Sequence, residues 1–106
     1  MADLPKYESS DAWLLLSVIY ASRNHPASLG EILMVGDYIN HTSFTQEELD
    51  GGFSRLKARE WITGSAAFFS TTEKTSNVYR TVGGKGLSAR EELKQIEAVL
   101  GIINAP

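Results

Sequence analysis

Three cations occupy alternate positions in one short stretch, Arg55, Lys57 and Arg59, and Lys74, Arg80, Lys85 and Arg90 follow. Between residues 51 and 90 these seven cations meet only Glu60 and Glu73, a net charge of +5. Gathered on one face, such residues neutralise phosphates and release the counterions condensed on a nucleic acid. The flanks are acidic, −6 over residues 1–50 and −2 over residues 91–106, so the whole chain carries −3. The total charge argues against a nucleic-acid partner; the basic middle argues for one.

Other chemistries find less in the sequence. Gly83-Gly84-Lys85-Gly86 lacks phosphate-loop spacing: Tyr79 stands where the first glycine belongs and Gly86 where Ser or Thr belongs. It reads as a turn. His25 and His41 have no second ligand at metal spacing, so no metal or other cofactor is expected. The chain has no cysteine, which excludes disulfides, thiol nucleophiles and thiolate metal sites. No nucleophile–base arrangement or carboxylate pair is visible, and no catalytic residue is assigned; the chain reads as a non-enzyme. Asn40-His41-Thr42 matches a glycosylation sequon but reads as a turn. Trp13 and Trp61 read as core.

The elements that position the cations follow from 106 residues, 42% of them hydrophobic, which is enough for a single domain over residues 1–106 with its own core. The longest apolar run, Trp13 to Leu16, is far short of the roughly 20 residues a bilayer span needs. Residues 1–10, with Asp3 and Glu8, do not read as a signal peptide, and a cytoplasmic location is expected. Residues 1–8 are expected to be flexible. A first helix capped by Ser9 or Ser10 runs to about Ser22 and is apolar nearly all round, hence central. Asn24-His25-Pro26 stops it.

A capping box, Ser28 with Glu31, opens a second helix whose inward stripe is Leu29, Ile32, Leu33, Gly36 and Ile39. Gly36 predicts close helix packing. A second box, Thr45 with Glu48, flanked by Phe44 and Leu49 as a hydrophobic staple, starts a third helix. Leu49, Phe53 and Leu56 face inward, and Gly51-Gly52 predicts a neighbour's backbone close by. Ala66 to Thr71 and Val78 to Val82 read as strands of one hairpin, with Thr72 to Asn77 as its polar turn. A third box, Ser88 with Glu91, opens a last helix over residues 88–103, with Leu93, Ile96, Leu100 and Ile103 on one stripe.

Three helices followed by a hairpin resemble the winged helix–turn–helix superfamily over residues 10–82. Leu56-Lys57-Ala58-Arg59-Glu60-Trp61-Ile62 is similar to the phrase that leads the third helix into the wing, with Glu60 where glycine is common. The added C-terminal helix resembles the dimerising helix of small PadR- or MarR-type regulators. The fold implied is α+β, a three-helix bundle with a β-hairpin wing and an extra C-terminal helix.

The resemblance implies a DNA-binding transcriptional regulator. Its third helix, about residues 45–59, would enter the major groove of double-stranded DNA, and the hairpin at about residues 66–82 would act as the wing. Thr45, Gln46 and Ser54 would face base edges; Arg55, Lys57 and Arg59 would reach phosphates; Lys74 at the hairpin tip and Arg80 would approach the backbone or minor groove. Leu93, Ile96, Leu100 and Ile103 would form a homodimer interface. Against this stand Glu47, Glu48 and Asp50 at the start of the third helix. These acids, a light wing and exposed Met34 and Tyr38 support the alternative, a winged-helix module that binds protein and not DNA.

Overall fold

Side-chain caps set the helix starts. The computed structural model describes residues 6–64 and 67–101. Its first helix, α1 (Ser9–Ala21), begins one residue earlier than the serines predict, with Glu8 at the N-cap. The reason is Asp11, whose carboxylate accepts from the Glu8 backbone N–H at 2.9 Å. A two-residue strand, β1 (Ala27–Ser28), follows Pro26. It leads directly into α2 (Leu29–Asn40) through the expected Ser28–Glu31 box. The Thr45–Glu48 box opens α3 (Gln46–Ala58) as expected, and Phe44 and Leu49 are both buried beside it.

The end of α3 explains Glu60. The Trp61 N–H bonds to the Leu56 carbonyl at 2.9 Å and the Glu60 N–H to the Lys57 carbonyl at 3.0 Å. That is a Schellman motif, which needs a left-handed residue and usually takes glycine. Glu60 fills the position with φ +63°. Trp61 and Leu56, the apolar pair that accompanies such a motif, are both buried.

Strands β2 (Ile62–Gly64) and β3 (Phe68–Thr71) form a short antiparallel pair, and residues 65–66 lie outside the described residues. The first predicted strand, Ala66 to Thr71, is therefore the second strand of the hairpin. Strand β3 also pairs antiparallel with β1, placing Ala27 opposite Phe69, so the sheet order is β1-β3-β2.

The predicted second strand, Val78 to Val82, is a helix: α4 (Glu73–Val82). Alternation of Val78, Arg80 and Val82 fits a strand, but Thr75, Val78, Tyr79 and Val82 equally fit an i, i+3, i+4, i+7 helical stripe. Packing decides between them. Thr72 caps the helix by accepting from the Thr75 N–H and donates its hydroxyl to the Glu60 carbonyl at 2.6 Å. Thr75 donates to the Trp61 carbonyl. The residues predicted as a turn thus anchor a helix onto the entry to β2. After a turn in which Gly84 and Gly86 take φ of +76° and +72°, α5 (Ala89–Leu100) begins at the Ser88–Glu91 box.

The core forms around α1, whose residues from Ser10 to Ile19 are all buried. Helices α2, α3 and α5 pack on it. At Gly36 the Trp13 indole N–H of α1 donates to the glycine carbonyl at 2.9 Å, and the Phe44 ring stacks on Trp13 with centroids 3.7 Å apart. A side chain on Gly36 would meet that Phe44 ring, so the expected close approach is made by rings. Gly52 is also tight, but against side chains and not the expected backbone: a Cβ there would lie 2.7 Å from Leu14 Cδ2 and 3.2 Å from Asp11 Oδ1.

Helix α5 packs on the chain's own core. Ile96 and Leu100 are buried in the chain's own core and Leu93 is half-buried against it, so this stripe is spent on α1 and is not a free dimer face. Ile103 lies outside the described residues. Of the segment expected to be flexible, residues 1–5 lie outside the described residues, whereas Tyr7 is packed, its hydroxyl accepting from the Trp61 indole N–H at 2.6 Å. Among the described residues, no helix is long and apolar enough to cross a membrane, and no three His, Asp or Glu side chains converge on a metal position.

Candidate nucleic-acid interface

The outward face of α3 presents Gln46, Glu47, Asp50, Ser54 and Lys57, all exposed. Thr45, at the N-cap, has its hydroxyl accepting from the Glu48 N–H at 3.1 Å, while the Thr45 N–H bonds to the Glu48 carboxylate at 2.8 Å. Gln46 donates its amide to Asp50 at 2.9 Å, one turn on. That bond turns the Gln46 carbonyl away from Asp50, so the N-terminal half of the face offers mainly acceptors.

The cations predicted for phosphate contact are not gathered on one face. Arg55 points into the molecule. Its Nε and Nη2 donate to the two carboxylate oxygens of Asp11 at 2.6 and 2.8 Å, and Nη2 lies 3.8 Å from Glu8. Asp11 is fully buried and the Arg55 side chain is 14% exposed. The bidentate bond to Asp11 holds the guanidinium more firmly protonated than usual. Arg55 therefore locks α3 to α1. The Arg59 guanidinium lies 4.3 Å from the Tyr7 ring centroid. The Lys74 amine lies 4.0 Å from the Trp61 ring centroid and donates to the Arg59 carbonyl at 2.8 Å.

Lys74 and Arg80, expected on one wing, both lie on α4. Six residues apart on a helix, they point about 120° away from each other. Lys74 instead joins Lys57 in a cleft of about 450 Å³ beside β2, together with Glu60 and Glu73. The cleft thus holds equal numbers of cations and acids. Arg80 is exposed on the outer side of α4.

The most highly organised polar constellation is one that sequence reasoning passed over. Glu92 of α5 is 6% exposed, and its Oε1 accepts hydrogen bonds from the Tyr20 hydroxyl at 2.5 Å and the Tyr79 hydroxyl at 2.7 Å. Burial, and donation to this carboxylate, push both phenols above their ordinary value, Tyr20 strongly. A signal was present, because Glu92 stands four residues before Ile96 on the inward stripe of α5. Asp11 carried a similar signal, an acid inside a helix with almost no polar face.

Compared with protein-family models, curated proteins and solved structures, the chain matches none.

Proposed function

We propose that the chain is a cytoplasmic winged helix–turn–helix regulator that binds duplex DNA through the outward face of α3, with the β2–β3 hairpin as a short wing. The observation that carries this reading is the sheet. A strand between α1 and α2 pairs with the second hairpin strand in the order β1-β3-β2, so the hairpin that follows α3 is moored along its β3 side by β1. The Arg55–Asp11 bond supports it further by fixing α3 against α1, which leaves the polar face of α3 outward.

In this reading Gln46 and Ser54 face base edges, and Lys57 and Lys74 carry most of the phosphate contact. Arg55 acts as a brace. Two phosphate contacts give a salt dependence in which affinity falls about tenfold between about 50 and 200 mM salt. Fluorescence anisotropy of a labelled random-sequence duplex tests this. A salt-dependent signal that weakens when Lys57 and Lys74 become Ala supports the interface. No binding at the lower salt overturns it.

A second reading has its own observation. Met34 and Tyr38, one turn apart on α2, are 75% and 73% exposed, and Glu47 and Asp50 give the start of α3 a negative face. These features favour a protein partner. Its binding would survive salt that dissociates DNA, because counterion release would not drive it.

A further inference from the structure

Clefts on the described surface differ in charge. The cleft beside β2 sets Lys57 and Lys74 against Glu60 and Glu73. The one between α1 and α5 sets Arg90 and Lys94 against Glu48 and Glu97. The third, about 340 Å³ between the end of α1 and the first turns of α4, has one charged lining residue, Arg23, and no acid. Ser22, Thr71 and Ser76 add hydroxyls, while Ile19 and the Tyr79 ring form an apolar wall.

Arg23 is held there without a carboxylate. Its guanidinium lies 4.6 Å from the Tyr20 ring centroid, and Nη2 donates to the Tyr79 hydroxyl at 3.2 Å. Tyr20 and Tyr79 are themselves fixed by Glu92. Among the described residues no acid lies within ion-pair distance of Arg23, in contrast to Arg55. An arginine has five N–H donors in a planar fork, so one bond to Tyr79 leaves most of them for a planar oxyanion.

We propose that this cleft binds the oxyanion of a small organic molecule, a carboxylate on a flat apolar body, with Arg23 as its charge partner and the Ile19–Tyr79 wall against the body. The Ser76 hydroxyl adds a donor, whereas the Ser22 hydroxyl already donates to the Val18 carbonyl at 2.6 Å and lines the cleft as an acceptor. This site does not depend on what α3 binds.

Titration of the ¹⁵N-labelled full chain with sodium benzoate, and separately with sodium phosphate, at ionic strength held constant with NaCl, tests the proposal. Benzoate should give saturable NMR shifts at the amides of Ser22, Arg23, Ser76 and Tyr79. Phosphate should move the same amides several-fold more weakly, because it has no body for the apolar wall. Arg23→Ala should weaken benzoate binding about tenfold or more, and Arg23→Lys should fall between the two. Ser76→Glu, at an exposed position, should abolish binding while the spectrum elsewhere stays native. The proposal is overturned by the absence of saturable shifts below about 50 mM benzoate, where Kd would already be too weak for a built site. Unchanged affinity in Arg23→Ala also overturns it, as does a site that phosphate saturates and benzoate does not.

Discussion

Two buried carboxylates tie α1 to the rest of the molecule, and they are satisfied in opposite ways. At the α1–α3 junction Asp11 meets a cation, the two-pronged guanidinium of Arg55. At the junction of α1 with α4 and α5, Glu92 meets two neutral phenols, Tyr20 and Tyr79, with Arg23 one bond further out. A charge taken out of water needs either an opposite charge or several good donors, and this small domain uses one solution at each end. The ion pair withdraws a cation from the surface of α3. The phenol pair leaves its nearby cation at the surface of a cleft.

The largest effect expected from breaking this contrast is at the ion pair. Arg55→Ala leaves Asp11 buried and uncompensated, which should cost about 3–5 kcal/mol in urea unfolding. The Asp11→Ala/Arg55→Ala double variant should cost less than the sum of the single changes. A cost for Arg55→Ala below about 1 kcal/mol, the level of a surface pair, would show that Arg55 is not a brace.

The phenol pair should yield in smaller steps. Tyr20→Phe removes one of two donors to a buried carboxylate and should cost about 1–3 kcal/mol in the same measurement. Tyr79→Phe should cost less than Tyr20→Phe, because its bond to Glu92 is the longer one. Equal stability of both variants and the parent would mean that Glu92 is solvated and the pair does not form.

Alkaline pH separates the two junctions without mutation. Both phenols titrate above their ordinary value of 10.0 in the folded chain, so their contribution is fully present below that pH. It is lost as pH rises toward the higher folded values. Absorbance titration should show Tyr20 and Tyr79 ionising only as the protein unfolds, and Phe substitution should remove that coupling. At the acid end the sign reverses for Glu31 and Glu91, whose bonds to the Ser28 and Ser88 backbone lower them from 4.5. Their contribution is present above that pH and fades as pH falls through the lower folded values.

The smallest change expected is a gain. Glu60→Gly relieves a left-handed non-glycine residue, worth about 1–2 kcal/mol, and gives back part of that as backbone entropy. A net gain of about 0.5–1 kcal/mol in thermal unfolding is expected. A loss would mean that the Glu60 side chain makes a stabilising contact that outweighs its backbone strain.

Where the structure departs from the sequence reading, the departures have one cause. Val78 to Val82 fits a strand or a helix by spacing alone, and the anchoring of Thr72 and Thr75 on the Glu60 and Trp61 carbonyls selects the helix. The alternating cations of residues 55–59 resemble a phosphate-binding face, yet Arg55 turns inward because Asp11, 44 residues away in the chain, needs a partner. The stripe of α5 is apolar for either a partner or the chain's own core, and α1 takes it.

The sequence alone determined what is local: the capping boxes at Ser28, Thr45 and Ser88, the central apolar α1, the staple around α3 and the turn at Gly83 to Gly86. These depend on residues within a few positions of one another, so their geometry follows from backbone donors, side-chain acceptors and spacing. The tertiary structure alone decided which ionised groups found each other and which cations stayed at the surface. Those outcomes depend on desolvation, which is set by everything that packs around a group and by nothing in its immediate sequence.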